Sequence, residues 1–259
     1  MTVKVVKVGG AFLDEPDISI PFFQALCASH TQTPIVLVHG GGSSVEQLMS
    51  DLDLPTAKID GLRVTPPEQI NYVVGALAGT VNKQLCALAQ QAGLNTVGLS
   101  LFDGNMTVCQ KINDELGNVG QATVHDPLLL TTLLGSGYLP IISSIGKDTS
   151  GQLLNVNADQ AATVIAKLLN AQLVLLSDVK GVLDEHSELV SSLDEIQIDK
   201  LIDCGVIRDG MTVKVNAALD AAKAIQQPVT IASWKDLTIF NDDGAGSVGT
   251  TILPNKQEA

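Results

Sequence analysis

The sequence predicts an α/β protein with a mostly parallel sheet covered by helices on both faces. Short β-branched runs alternate with longer stretches of helical pattern. The runs are apolar almost throughout, as in strands buried on both faces, whereas a strand with one wet face alternates. Glycine-bearing turns follow several of them, and no Pro-rich linker, low-complexity tract or clean internal repeat divides the chain.

Taken in order, the expected strands are "VKVVKV" at 3–8, "IVLVH" at 35–39, "NTVGLS" at 95–100, "TVCQKI" at 107–112, "LPIIS" at 139–143, "QLVLLS" at 172–177 and "PVTIAS" at 228–233. A long Ala-rich helix is expected from Pro67 to Gln91, with further helices over Ala158–Leu169 and Val213–Ile225. Residues 103–124 read as a hairpin or small antiparallel excursion. A soft boundary near Asn170 predicts two lobes on one continuous sheet, an N-lobe over 1–170 and a C-lobe over 171–259.

Bulk properties exclude several classes. The chain has 259 residues, 45% hydrophobic, enough for a large core in one α/β domain or two small lobes. Only 3% are aromatic, so an aliphatic core is expected. The net charge of −13 argues against nucleic acid, whose phosphates call for a basic face. Any anion must be held by a few local donors. The four cysteines form no CxxC pair and no zinc spacing, and read as buried or half-buried thiols. "MTVKVVKVGGAFLDE" lacks the apolar core of a signal peptide, and no apolar run approaches the ~18 residues of a membrane span. A reduced, cytoplasmic protein is expected.

Three strand ends carry the chemistry, since ligands of open parallel sheets bind beyond the carboxyl ends of strands. Lys7 is followed by Gly9 and Gly10 in "VVKVGG"; "VHGGGSS" has glycines at 40–42; "LLSDVKGVL" runs from Ser177 and Asp178 to Gly181. Bare backbone at such a turn lets a ligand approach, and free N–H groups favour an anion, typically phosphate. Each turn alone is a weak signal, and a lone Gly-Gly is more often only tight. Neither common nucleotide loop fits. Val45 stands where a dinucleotide fingerprint needs its last glycine, and Asp148 follows Lys147 where a P-loop needs Ser or Thr.

Three polar stretches stand out. A helix starting near Thr212 puts Lys214 in its first turn, disfavoured by roughly 0.3–1 kcal/mol. By spacing alone Lys214 is a solvated lysine; a locally costly choice also hints at function. In "NVNADQAA", Asn157 caps a helix, with Gln160 completing a capping box. Asn155 and Asp159 flank that cap, where a ligand would sit. In "GLRVTPPEQI", Thr65 caps, Pro66 takes the first position and Glu68 follows three residues after the cap. Arg63 just before it is either an ordinary surface residue or a planar clamp for a carboxylate. His39, beside the glycines, reads as structural.

Together and in order, "KVGG", "VHGGG", "GLRVTPP", "GALAGTVNK", "NVNADQAAT", "LLSDVKGVL" and "DGMTVKVNAALDAA" closely resemble the N-acetylglutamate kinases of the amino acid kinase family. The match covers nearly the whole chain. The resemblance implies an open three-layer αβα sandwich, a homodimer, and ATP with Mg²⁺, the metal held mainly by nucleotide phosphates. It implies phosphorylation of the side-chain carboxylate of N-acetyl-L-glutamate. By the same resemblance Lys7 and Lys214 stabilise the moving phosphoryl group, and Asp159 holds both lysines. Gly41 and Gly42 offer N–H groups to substrate, Arg63 binds a substrate carboxylate, and Asn155 fixes the substrate. The nucleotide is expected on Gly9, Gly10, Asp178, Val179, Lys180, Gly181, Val182, Leu183, Val206, Ile207 and Arg208.

The chemistry suits these residue types. Phosphoryl transfer asks mainly for positioning and charge compensation. A carboxylate nucleophile, with a reference pKa of about 4.3, is ionised at neutral pH and needs no general base. Rival readings are sister kinases, acetylaminoadipate kinase among them, and a non-catalytic amino-acid sensor; a dinucleotide oxidoreductase fails at Val45.

Overall fold

The computed structural model of the chain describes residues 2–241 and 248–254. In the first part of the chain the elements are β1 (Lys4–Val8), α1 (Pro16–His30), β2 (Ile35–His39), α2 (Gly42–Asp51), β3 (Lys58–Ile59), β4 (Leu62–Arg63), α3 (Ile70–Val74), α4 (Asn82–Gln91), β5 (Thr96–Ser100), β6 (Thr107–Lys111), β7 (Val119–Val124), α5 (Leu128–Gly135), β8 (Leu139–Ser143), β9 (Ile145–Lys147), β10 (Leu153–Val156) and α6 (Ala158–Leu169). Then follow β11 (Gln172–Ser177), β12 (Ser192–Leu193), α7 (Glu195–Asp203), α8 (Asp209–Ile225), β13 (Val229–Ser233) and β14 (Thr250–Ile252). Each expected strand forms, with ends within one residue of the expected ones.

The main sheet has the order β12-β14-β13-β11-β1-β2-β8-β5 and is parallel except where β14 meets β13. It runs without a break through strands from both sides of Asn170, which ends α6 in a left-handed conformation. The 103–124 excursion is the antiparallel β6–β7 pair of a second sheet, ordered β6-β7-β10-β9. Strands β3 and β4 form a separate hairpin.

Central β1 and β2 are buried on both faces because helices lie on each side. On one face, α6 and α8 pack aliphatic residues such as Ile165, Ala162, Ala218 and Val215 against Val5, Val36 and Val38. On the other, α1 and α4 cover Val6, Leu37 and Ile141. The aliphatic expectation holds on the first face only. On the second, Phe12, Phe22, Phe23, Phe240 and Trp234 form one aromatic cluster, with ring centroids 4.7–6.3 Å apart between neighbours. Low abundance did not prevent concentration, since one large ring buries as much surface as several small side chains.

Two helix boundaries depart from expectation. The helix expected from Pro67 begins at Ile70, and Gly75–Val81 is wound as a π-helix between α3 and α4. Thr65 does not cap it. Its backbone bridges Gly117 and Leu116, and its hydroxyl donates to the Arg63 carbonyl while accepting from Asn155. Tertiary pairing thus takes the cap away from the helix. Helix α8 begins at Asp209, so Lys214 lies in its second turn. At α6, Asn157 caps as expected, accepting from the N–H of Asp159 and Gln160. The reciprocal half of the box is absent, because Gln160 Oε1 faces the Ala122 N–H at 3.4 Å. Of the cysteines, Cys86 and Cys109 are buried and Cys27 half-buried, but Cys204 is exposed, against expectation.

Candidate active site

Parallel register brings the carboxyl ends of β1, β2, β11 and β8 to one edge. Lys7 pairs with Val38 and Leu175, Val8 with His39, and His39 with Ser143. The turns after these strands therefore meet, and three depressions open along that edge.

The first is a cavity of about 230 Å³ lined by Gly40, Gly41, Gly42, Lys58, Arg63, Ser144, Asn155 and Asn157, among others. Arg63 reaches it from the β3–β4 hairpin. Its Nη2 donates to Glu46 Oε1 at 2.9 Å and to the Gly42 carbonyl at 3.1 Å. Its Nη1 is buried and has no partner among the described residues. Lys58, opposite Arg63 in the hairpin, also pairs with Glu46 at 2.8 Å. The Lys58 ammonium, chiefly, and then Arg63 hold the Glu46 carboxyl below its usual range. Glu46 is thus committed as an anion, and one face of the Arg63 fork is left for a ligand. Asn155 donates to Thr65 Oγ1 at 3.1 Å and lines the same cavity.

The second depression is a small cleft of about 50 Å³ walled by Lys7, Asp159, Ser177, Lys214 and Ile231. Lys7 Nζ pairs with Asp159 Oδ1 at 2.8 Å. The position of Asp159 follows from the Asn157 cap, which fixes the first turn of α6, and α6 packs on β1. Lys214 lines the same cleft but pairs with Asp178 Oδ1 at 2.8 Å. Asp159 thus pairs with Lys7, while Lys214, expected on the same carboxylate, pairs with Asp178 across the cleft that Lys7, Asp159 and Lys214 line. Lys214 first, by its hydrogen bond, keeps the Asp178 carboxyl below its ordinary range. Asp178 is exposed, and a pair so open to water contributes about 0–1 kcal/mol. An incoming anion can replace it at small cost.

The third is a groove of about 390 Å³ lined by Val179, Lys180, Gly181, Val182, Leu183, Val206, Ile207, Arg208 and Met211. The two segments expected to hold the nucleotide thus face each other across one largely apolar groove. Gly181 has φ +145°, and a Cβ there would lie 2.7 Å from both Leu189 Cδ1 and Thr250 Oγ1. Its bareness is set by the fold.

The glycine turns differ among themselves. A Cβ on Gly41 would lie 2.7 Å from Leu77 Cδ2 and 3.1 Å from Val81 Cγ2. On Gly40 it would meet Ala158 at 3.1 Å. Both are bare because helices press on them. A Cβ on Gly42 would meet only Arg63 Nη2, at 3.9 Å, so Gly42 is open to the cavity. Gly10 lies against the same turn: its Cβ would sit 3.0 Å from Gly42 N and 3.0 Å from Ser43 Oγ, a buried hydroxyl without a partner among the described residues. Gly10 is therefore bare because the Gly41–Ser43 turn packs against it, at the N-terminus of α2. Gly9 adjoins Trp234.

Sequence reading missed Lys58, Glu46, Ser43 and Asn82. The Asp60-Gly61 pair, both residues at positive φ, is the turn signal that marks the Lys58 hairpin. Glu46, Ser43 and Asn82 carry no local signal: the partners of Glu46 and Asn82 come from elsewhere in the chain, and Ser43 Oγ has none among the described residues.

An α/β sheet with lysines, glycine N–H groups and an arginine fork at its carboxyl edge defines a phosphoryl-transfer protein acting on an anionic acceptor. The sequence pattern of the amino acid kinase family matches residues 2–233, and the chain belongs to that family. It is 53% identical over 254 residues to an acetylglutamate kinase of Mannheimia succiniciproducens, covering 96% of this chain and 98% of that one. It is 51% identical over 253 residues to an acetylglutamate kinase of Proteus mirabilis, with the same coverage. In fold it resembles smu.665 of Streptococcus mutans, at TM-score 0.78 and 28% identity over 98% of this chain and 99% of that one.

Proposed function

We propose that the chain is an ATP-dependent kinase that phosphorylates the side-chain carboxylate of N-acetyl-L-glutamate, a step of arginine synthesis. The geometric observation that carries this reading is the unpartnered, buried Arg63 Nη1 in a cavity that also holds the Gly42 turn and Asn155. A planar fork with a free edge recognises a carboxylate. The identity with acetylglutamate kinases along nearly the full chain points to the acceptor.

In this reading Arg63 binds a substrate carboxylate that does not react, and Asn155 orients the acceptor. The reacting carboxylate points at the Gly41 and Gly42 N–H groups. Lys7 and Lys214 flank the phosphoryl group from opposite sides of the cleft and offset the charge it carries in flight. Asp159 orients Lys7, and no proton has to be removed. ATP lies over Asp178–Leu183 and Val206–Arg208, with its phosphates toward Gly9 and Gly10. The apolar lining of Val179, Val182 and Ile207 suits an adenine ring. Mg²⁺, bound with the nucleotide, would supply charge neutralisation on its phosphates.

The division into lobes at 1–170 and 171–259, a cytoplasmic location and a homodimer belong to the same proposal. No helix among the described residues is long and apolar enough to cross a membrane. In that proposal the second copy docks on the helical stretch 67–91, where Tyr72 on α3 is exposed.

Release of ADP with acetylglutamate, acetylaminoadipate, glutamate or aspartate as acceptor tests the function. One methylene in a pocket is worth ~1–3 kcal/mol, so acetylglutamate should lead acetylaminoadipate by roughly 10-fold or more in kcat/KM. The reverse order would establish the acetylaminoadipate reading. No ADP release with any acceptor would leave the sensor reading.

A further inference from the structure

His39 is a buried titratable group with no part in the chemistry above. It ends β2 just before the glycine turn and is 1% exposed. Nδ1 lies 2.7 Å from the Gly40 carbonyl oxygen, and Nε2 lies 3.0 Å from Asn82 Nδ2. The partners fix the tautomer. A carbonyl can only accept, so Nδ1 carries the proton; Nε2 then accepts from Asn82. The amide orientation of Asn82 is fixed in turn, because the same Nδ2 donates to the Ile141 carbonyl at 2.8 Å. Burial also pushes the His39 pKa down to about 4, which keeps the ring neutral and this arrangement in place at neutral pH.

The consequence lies in the next peptide plane. No cis peptide occurs among the described residues, so the Gly40 carbonyl and the Gly41 N–H point in opposite directions. Tying the carbonyl down to His39 turns the Gly41 N–H away from the buried ring. That N–H, like the Gly42 N–H beside it, has no protein acceptor among the described residues. Glycine would otherwise let this plane rotate freely.

We propose that His39, held by Asn82, is a positioning residue that aims the Gly41 N–H into the cavity for the transferring phosphoryl group. The inference rests on the role given above to the glycine turn. Donors aimed before reaction need no reorganisation in the transition state, so their loss falls on kcat.

The test compares H39N with H39Q. An Asn amide nitrogen can take the place of Nδ1 and keep the bond to Gly40. A Gln amide reaches the Nε2 position and keeps Asn82 but leaves the Gly40 carbonyl free. Melting temperature, kcat and both KM values are measured for wild type, H39N, H39Q and Asn82→Ala. H39N should retain kcat within about 3-fold, while H39Q and Asn82→Ala lose roughly 10- to 100-fold in kcat with KM values near wild type. Equal kcat for H39N and H39Q would overturn the proposal. So would a loss confined to KM or to melting temperature, the mark of a merely structural histidine. The wild-type rate alone tests the functional reading; the ratio between the two His39 variants tests the positioning.

Discussion

At the scale of single residues, Arg63 enters the cavity with one arm already spent. Nη2 is bound to Glu46 and Gly42, and Nη1 is not bound by any described residue. Arg63→Lys keeps the charge but cannot serve Glu46 and a ligand at once. A hydrogen bond to a charged group is worth ~1.5–3 kcal/mol, so affinity for acetylglutamate should fall roughly 10- to 100-fold while that for ATP changes little. Isothermal titration with each ligand measures this; equal losses for both would contradict the role given to Arg63. His39 sets a pH limit. Its pKa is about 4 in the fold against 6.5 in an unfolded chain, so the unfolded state binds the extra proton first as pH falls. The associated stability is complete above about pH 6.5 and is lost on the way down to about pH 4, reaching about 2 kcal/mol by about pH 5. Urea unfolding at these pH values should show this loss in wild type and not in H39N. Residue types at the site were legible where a strand end or a cap flagged them, as for Lys7 and Asp159. The pairing of Lys214 was not, because Asp178 reaches it from the end of another strand.

At the scale of elements, the three glycines after β2 separate into two kinds. Gly41 is bare because the π-wound stretch pushes Leu77 onto it, and Gly42 because the cavity opens there. Gly41→Ala should cost about 1–3 kcal/mol by overpacking. Gly42→Ala, inside the first turn of α2 and in ordinary contact only, should fold with wild-type stability or slightly better, and lose activity. Thermal melts with kinetics on both variants check the split; a stable, fully active Gly42→Ala would remove the turn from the site. Strand and helix patterns were readable for the seven strands and for α6, where apolar runs and a cap agree. The β3–β4 hairpin, the short β9 and the late start of α3 were not. The start of α3 is decided by contacts of Thr65 with Leu116, Gly117 and Asn155, and no window of local sequence contains those partners; β3–β4 and β9–β10 are local hairpins, whose turn signals at Asp60-Gly61 and Gly151 were missed.

At the scale of the whole molecule, one sheet spans both sides of Asn170, and its register sets lysines from β1 and α8 around one small cleft. The chain is strongly acidic, so this local convergence, and not a general field, has to attract an anion. The order of strands was beyond sequence pattern alone, because each crossover is fixed by which face its helix covers. The account stands on Lys7 and Lys214 acting on the same phosphoryl group. Its most direct test is the steady-state rate of Lys7→Ala and of Lys214→Ala, with ATP and acetylglutamate varied in turn. Each should lose ~10²-fold or more in kcat, with smaller changes in KM. A variant that keeps kcat and changes only the KM for ATP would show that its lysine binds nucleotide and takes no part in the transfer.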